Sequence, residues 1–155
     1  MEERFMSRAI ELARQGMEAG LGGPFGCVIV KDGVIIGEGN NQVTGTNDPT
    51  AHAEIVAIRN ACKHLSAFQL TDCEVYATCE PCPMCLGAIY WARPKAIYFA
   101  CTREDAANIG FDDAHIYNEF SLPSDQRSIL MRGFLREKAL PLFENWQNLS
   151  DKTPY

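Results

Sequence analysis

The chain is short of positive charge and of histidine, and it has no long apolar run. Its 155 residues include 14 basic and 20 acidic side chains, a net charge of −6, and 3 histidines. This balance argues against nucleic-acid binding, which needs clustered lysine and arginine for phosphate contacts. No apolar run is long enough to span a bilayer. The N-terminus lacks the apolar core of a signal peptide, so we expect a cytoplasmic protein.

The cysteine count also excludes a class of protein. Seven cysteines, an odd number without a signal peptide, do not suggest a disulfide framework. We expect four of them to be small buried apolar side chains: Cys27, Cys62, Cys73 and Cys101. His64 and His115 are expected at the surface or near helix ends.

Hydrophobic periodicity and turn residues predict one α/β domain over residues 1–155. The expected helices cover 2–19, Asp48-Pro49 to about 64, 82 to about 92, 103–108 and 140–149. The expected strands cover 25–31, 34–38, 74–78, 95–101 and 129–135, with the third and fourth parallel. These elements predict a three-layer α/β/α sandwich around a mixed five-stranded sheet.

Two short motifs carry the chemistry. His52-Ala53-Glu54 and, downstream, Pro81-Cys82-Pro83-Met84-Cys85 form the pattern H-x-E … P-C-x-x-C, which is typical of zinc-dependent nucleobase deaminases. Cys82 and Cys85 share one face at a helix start, where the helix dipole lowers a thiol's pKa. His52 and Glu54 lie on nearly opposite sides of a helix, so they can serve one site only at its N-terminus.

The ligand set predicts a catalytic metal site. Zinc with His52, Cys82 and Cys85 keeps a fourth position open for water. Two thiolates and a neutral imidazole make a formally neutral site, whose water needs a base. Glu54 is the candidate that takes the water proton and later protonates the substrate's ring nitrogen and its leaving amine. The products would be a carbonyl compound and ammonia.

Two other interpretations of the motif remain open at this point. Cys79 stands three positions before Cys82, so His52 and three cysteines could form a closed structural zinc site. The chain could also be a zinc-stabilised interaction module with no catalytic activity.

Three segments resemble a known family: residues 22–26 (GGPFG), 47–54 (NDPTAHAE) and 79–93 (CEPCPMCLGAIYWAR). They are similar to the cytidine deaminase-like superfamily and, within it, to the bacterial guanine deaminases. Residues 81–89 are shared with tRNA adenosine deaminases. The segments 90–93 and 110–113 and the terminal Tyr155 resemble guanine deaminases.

The resemblance implies hydrolytic deamination of guanine to xanthine by zinc-bound hydroxide, with one Zn²⁺ per subunit and Glu54 as proton shuttle. Phe25 matches an aromatic that stacks on the purine, and Asn41 with the backbone of Ala53 matches groups that hydrogen-bond the ring. Asp113 matches an acid that holds the guanine and is a candidate for assisting proton transfer. Trp91 and Tyr155 match aromatics that close the pocket. On pattern alone, Phe25 and Trp91 also fit core positions, Asp113 a helix cap and Asn41 a turn.

The resemblance also implies a homodimer whose C-terminal segments, from about 125 to 155, are exchanged between subunits. Alternative substrates with the same chemistry are a tRNA adenosine and another free aminated heterocycle, such as cytosine, a triazine or a pterin.

Overall fold

The structure, a computed structural model, describes residues 1–111 and 113–155. The chain forms two compact units, Met1–Asp113 and Ala114–Tyr155. The elements in chain order are α1 (Glu3–Glu18), β1 (Gly26–Lys31), β2 (Val34–Asn40), α2 (Val43–Thr46), α3 (Ala53–Leu65), β3 (Glu74–Cys79), α4 (Pro83–Ala92), β4 (Ala96–Cys101), α5 (Arg103–Asn108), α6 (Ala114–Ser121) and α7 (Arg136–Asn148).

The first unit is built on a mixed sheet with the strand order β2-β1-β3-β4. β1 pairs antiparallel with β2 and with β3, whereas β3 and β4 are parallel, as the strand–helix–strand spacing predicted. The expected fifth strand is wrong: within the described residues, 129–135 forms no strand, and the sheet has four. A run of aliphatic residues becomes a strand only if its backbone groups find a partner strand, and periodicity does not reveal whether they do.

Alternate residues of β1 face two different helical layers, because side chains of a strand alternate between its faces. On one face, Val28 and Val30 pack with Phe5, Ala9 and Leu12 of α1 and with Tyr76 of β3. On the other face, Cys27 and Ile29 pack with α3 and with Ala92 of α4. The sheet is therefore covered on both sides, as expected for an α/β/α arrangement.

α3 lies very close to β2, and glycine makes this possible. A Cβ on Gly39 would overlap the carbonyl oxygen of Ala53, and one on Gly37 would lie 2.5 Å from the carbonyl oxygen of Ala57. The helix correspondingly buries a row of alanines, Ala53, Ala57 and Ala61, with its larger Ile58 and Leu65 only partly buried. This close approach sets where the N-terminus of α3 lies relative to the sheet.

The start of α3 differs from the prediction. The helix begins at Ala53 and not at Asp48-Pro49, because Asp48 is used in a turn. Its Oδ1 accepts hydrogen bonds from the backbone N–H (2.8 Å) and the hydroxyl (2.7 Å) of Thr50. An aspartate that bonds two residues ahead favours a turn over a continuing helix. His52 is therefore the N-cap of α3 and not a residue of its first turn.

The second unit contains α6 and α7. α6 was not predicted, and α7 begins at Arg136, one turn before the predicted start, so that Pro141 lies inside the helix. No residue of the second unit, 114–155, is buried, and the structure describes all of them. Among the described residues of the chain, no helix is long and apolar enough to cross a membrane.

Candidate metal centre and active site

Three potential metal ligands converge in the first unit: His52, Cys82 and Cys85. The Nδ1 atom of His52 lies 3.6 Å from the Sγ of Cys82 and 3.5 Å from the Sγ of Cys85. Of the three, Cys85 is buried, whereas His52 and Cys82 are partly accessible. The sequence prediction that these residues form one site is confirmed.

Two helix N-termini bring the ligands together. His52 is the N-cap of α3, and Cys82 is the N-cap of α4, whose first residue is Pro83. Proline is well suited to the first helical position, since its fixed φ matches the helix and its missing N–H would have no partner there. α4 directly follows the central strand β3, while α3 lies against β2. Both helix dipoles favour thiolate at this point.

The geometry fits a zinc ion. Tetrahedral zinc, with bonds of about 2.3 Å to sulfur and about 2.0–2.1 Å to nitrogen, requires a separation of about 3.6 Å between the two ligand atoms. The observed Nδ1–Sγ distances of 3.6 and 3.5 Å have this value. Two soft sulfur ligands and an imidazole also favour zinc over hard cations.

The charges of the two thiols are coupled. Hydrogen bonds from the Cys85 thiol, from His52 and from the Cys85 backbone N–H lower the pKa of Cys82 to about 4, against the effect of burial. The pKa of Cys85 is raised because its thiol donates to Cys82 and because it is buried. The lowered pKa of Cys82 and the raised pKa of Cys85 favour one thiolate and one thiol, and a bound cation would allow both to ionise.

Cys79 does not belong to this group. Its thiol donates to the carbonyl oxygen of Thr102 at 3.4 Å, and burial raises its pKa to about 11. Within the described residues, the ligand cluster contains only His52, Cys82 and Cys85. Among the residues that the structure describes, therefore, Cys79 does not complete a closed site with three cysteines, and the cluster has three candidate ligands.

The remaining cysteines and histidines follow the expectations with one exception. Cys27 and Cys73 are buried and Cys62 is half-buried, but Cys101 is exposed, because it ends the edge strand β4. His64 and His115 are exposed.

Glu54 lies in the first turn of α3, two residues after His52, and is 8% exposed. Burial raises the pKa of its carboxyl group, while its own backbone N–H and the Cys85 thiol act in the opposite direction by donating to it. A buried carboxyl group that is not itself part of the ligand cluster therefore lies beside it. A carboxyl group with a raised pKa beside an open metal position is suited to accepting and returning a proton.

The residues predicted to bind the substrate differ in how close they lie to the metal cluster. Ala53 is buried and lies between His52 and Glu54 in the chain. The pKa of His52 is raised chiefly by its hydrogen bond with Cys82, and the charge of Asp113 adds to this effect. Asn41 is 5% exposed, and its Oδ1 accepts the backbone N–H of Val43, which turns its Nδ2 the other way. The backbone N–H of Asn41 donates to the carbonyl of Phe25 at 3.0 Å, so these two residues are neighbours.

The two other aromatic candidates, Trp91 and Tyr155, are both exposed. Trp91 lies six residues after Cys85 in α4, about 9 Å further along the helix axis, and is exposed, which contradicts a core role. Tyr155 belongs to the second unit and is also exposed.

Sequence reasoning missed an aromatic contact of Phe25. Phe25 is partly buried against the core, and its ring meets that of Phe111 edge-on, with centroids 4.9 Å apart and an interplanar angle of 88°. The only sequence signal for Phe111 was its place in the segment 110–113. Asp112, in the same segment, lies outside the described residues.

Comparison with known proteins agrees with the geometry of the site. The family described as "Cytidine and deoxycytidylate deaminase zinc-binding region" matches residues 1–101. The chain belongs to this family, and it is a zinc-dependent hydrolytic deaminase.

Within the family, individual relatives are similar over most of the chain. Guanine deaminase of Bacillus subtilis is 56% identical over 153 residues, 99% of this chain and 98% of that protein. Its X-ray structure superimposes with a TM-score of 0.94 over 100% of this chain and 99% of the other. A guanine deaminase from Nitrosomonas europaea is 30% identical, with a TM-score of 0.70 over 94% of this chain and 84% of the other. A tRNA-specific adenosine deaminase from Aquifex aeolicus is 41% identical over 99 residues, 64% of this chain and 65% of that protein.

Proposed function

We propose that this enzyme hydrolyses guanine to xanthine and ammonia. The observation that carries the proposal is the similarity to Bacillus subtilis guanine deaminase over nearly the whole of both chains. The relationship to the Aquifex aeolicus tRNA-specific adenosine deaminase covers 64% of this chain. The net charge of −6 also favours a small purine over a polyanionic RNA.

His52, Cys82 and Cys85 would hold one zinc ion per subunit. The chemistry that such an ion supplies is Lewis acidity, which lowers the pKa of a water and provides a nucleophile at neutral pH. The remaining catalytic tasks fall to the residues around it.

Glu54 is the proposed proton shuttle. Its carboxylate takes a proton from the water that attacks C2 of guanine and delivers it to the ring nitrogen N3. A second proton from the same water then passes through Glu54 to the exocyclic amine, and the C2–N bond breaks to release ammonia. The buried environment that raises the pKa of Glu54 supports both halves of this cycle, because it brings the carboxyl group closer to neutral pH.

The substrate is held by groups of three kinds. We assign Phe25 to stacking on the purine, and the amide of Asn41 and the backbone of Ala53 to hydrogen bonds with the ring. Because the Asn41 Oδ1 is engaged by Val43, its Nδ2 is the donor for an acceptor on the base. Asp113 would accept from the base's N–H groups, and its proximity to His52 supports a place beside the reacting carbon.

We also propose a homodimer in which the C-terminal segments, from about 125 to 155, are exchanged and Trp91 and Tyr155 complete the pocket. The second unit exposes a series of large apolar side chains, among them Ile129, Leu130, Phe134, Leu142, Phe143 and Tyr155. The first unit exposes Tyr90 and Trp91 on α4 and Phe99 on its edge strand β4. Apolar surface on this scale is typical of an interface between subunits. The seven free cysteines further support a reducing compartment such as the cytoplasm.

One assay tests the function. Zinc-loaded protein is supplied with guanine, adenine, cytosine, cytidine, a triazine amine and a tRNA anticodon stem, and ammonia release is measured for each. We expect release from guanine. Turnover of the tRNA stem without turnover of guanine would overturn the proposal, and a protein that releases ammonia from none of them would support the interaction module.

A further inference from the structure

Phe111 is held at both its main chain and its side chain. Its backbone N–H donates to the carbonyl of Ala106 at 3.0 Å, and that of Gly110 donates to Ala107 at 3.0 Å, with Gly110 at a φ of +92°. This is the Schellman pattern that ends a helix, here α5. The ring of Phe111 packs edge-to-face with the ring of Phe25, at an interplanar angle of 88°. A single residue therefore connects the end of α5 to Phe25.

Gly23 forms the slot that receives this ring. A Cβ at Gly23 would lie 2.7 Å from the Cζ of Phe111 and 3.0 Å from the Cε2 of Phe25. Neither distance is compatible with an unshifted side chain. The ring of Phe111 is thus in contact with the main chain that leads into β1, a contact that only glycine permits.

The neighbouring Gly22 has a different neighbour. A Cβ at Gly22 would overlap the Oδ1 of Asn41 and would not meet Phe111 among its nearest atoms. The two adjacent glycines therefore adjoin two different side chains, the amide of Asn41 and the ring of Phe111.

We propose that Phe111 is a positioning residue for guanine binding. It fixes the plane of the Phe25 ring and anchors the chain two residues before Asp113. This role rests on the proposed function, since it presumes that Phe25 stacks on the base. A ring packed edge-on prevents its partner from tilting, and aromatic pairs prefer this arrangement. Asp113 follows Phe111 by two residues, so a fixed Phe111 also limits where that carboxylate can lie.

The first test is the kinetics of Phe111→Ala and Phe111→Leu on guanine, with Ile10→Ala as the control. Ile10 is an exposed apolar residue of α1, the helix that packs on the face of the sheet opposite α3. We expect KM to rise about three- to tenfold in Phe111→Ala, the range that the loss of one aromatic pair predicts. The fall in kcat should be smaller, zinc content should be unchanged, and Phe111→Leu should lie between Phe111→Ala and wild type. The control should keep the wild-type KM.

A double-mutant cycle then identifies the contact. Gly23→Ala should raise KM chiefly by displacing the Phe111 ring, so its effect should be smaller in a Phe111→Ala background, where only the 3.0 Å approach to Phe25 remains. Gly22→Ala acts through Asn41, so its effect should be the same in both backgrounds. Residues in contact are expected to be non-additive in this way, and independent ones additive.

The outcomes distinguish a failure of the positioning role from a failure of the proposed function. A wild-type enzyme that does not deaminate guanine overturns the proposed function and this role with it. If wild type is active but Phe111→Ala keeps its KM, or if Gly23→Ala is equally harmful in both backgrounds, the positioning role alone is wrong. Loss of zinc or of folding in both Phe111→Ala and Phe111→Leu would assign Phe111 to the structure of the domain and would also overturn it.

Discussion

The Nδ1 of His52 lies 3.5 Å from the Sγ of Cys85, although 33 positions separate the two residues in the chain. The contact joins the N-terminus of α3 to the first turn of α4. Each helix reaches the site by its own packing on the sheet, and the ligands then meet at a distance suited to zinc. The site is a product of the fold and not of a local loop.

The ligand assignment predicts different results for two neighbouring cysteines. Cys85→Ser should remove most of the bound zinc and all detectable turnover, because serine replaces a thiolate ligand. Cys79→Ser should keep both, because Cys79 donates to the Thr102 carbonyl and is not in the cluster. Metal content by mass spectrometry, measured beside ammonia release, checks the pair. Zinc loss in Cys79→Ser would revive the closed three-cysteine site.

Glu54→Gln should separate catalysis from metal binding. The amide has the shape of the carboxyl group but cannot carry the shuttled proton, so kcat should fall by about 10²–10⁴-fold. Zinc content should remain that of the wild type, since Glu54 is not a ligand. A variant that loses its zinc would show that Glu54 contributes to coordination.

The close contact between β2 and α3 predicts a large effect from one methyl group. Gly39→Ala places a Cβ on the carbonyl oxygen of Ala53 and should lower the free energy of unfolding by about 1–3 kcal/mol. It should also weaken zinc binding, since Ala53 adjoins His52. Gly87→Ala in α4 is the matched control: its Cβ would meet nothing within 4 Å, and alanine favours helix, so stability should be unchanged or slightly higher. Urea denaturation of both variants tests the comparison.

Acid should weaken the attachment of α1 to β2. Arg8 binds Glu38 through two hydrogen bonds, of 2.7 and 2.9 Å, and the hydrogen bond from Arg8 lowers the pKa of Glu38. A carboxyl group whose pKa is lower in the folded state stabilises the protein above its unfolded pKa of about 4.3. That contribution is lost as the pH falls through the folded pKa.

The pair is partly exposed, so its contribution should be at most about 1 kcal/mol. Glu38→Gln should therefore lower stability at pH 7 and flatten its dependence on pH below about 4.3. Denaturant midpoints between neutral and acidic pH measure this. An unchanged slope would mean that the Arg8–Glu38 pair has no part in acid sensitivity.

Subunit complementation tests the exchanged dimer. A Glu54→Gln chain lacks the proton shuttle but keeps Tyr155. A chain without Tyr155 keeps Glu54 but lacks the residue that completes the pocket. If C-termini are exchanged, mixed dimers contain one complete site, and an equimolar mixture that is unfolded and refolded together should recover up to about one active site in four. No recovery in a mixture shown to contain mixed dimers would argue that each site is completed within its own chain.

The sequence predicts the metal cluster better than the residues around it. The H-x-E and P-C-x-x-C spacing predicted all three residues of the candidate metal cluster, because metal chemistry restricts both residue type and spacing. The sequence predicts a helix that includes His52, whereas α3 begins after it. An aspartate such as Asp48 fits either a helix N-cap or a turn, and local sequence does not distinguish the two. Phe111 was not identified as a contact of Phe25, because nothing local in the sequence reports which ring meets which.

The C-terminal third was predicted least well. Residues 129–135 have strand-like composition but form no strand in this chain, and α6 was not foreseen. Periodicity reports which face of an element is buried, and none of the residues 114–155, all described, is buried. Under the exchange proposed above, these residues would be buried by a second subunit, and the sequence of one chain does not reveal which of their side chains that subunit covers.

His52 occupies the N-cap of α3 without making the side-chain hydrogen bond that this position ordinarily provides. Serine or aspartate there would stabilise the helix start by about 1 kcal/mol, so the first turn is weaker than it needs to be whenever the imidazole is not coordinated. The start of α3 should therefore open more readily in metal-free molecules than in zinc-loaded ones, and proteases should cleave it there more readily. Zinc would then stabilise the folded chain at this helix start as well as serve the reaction.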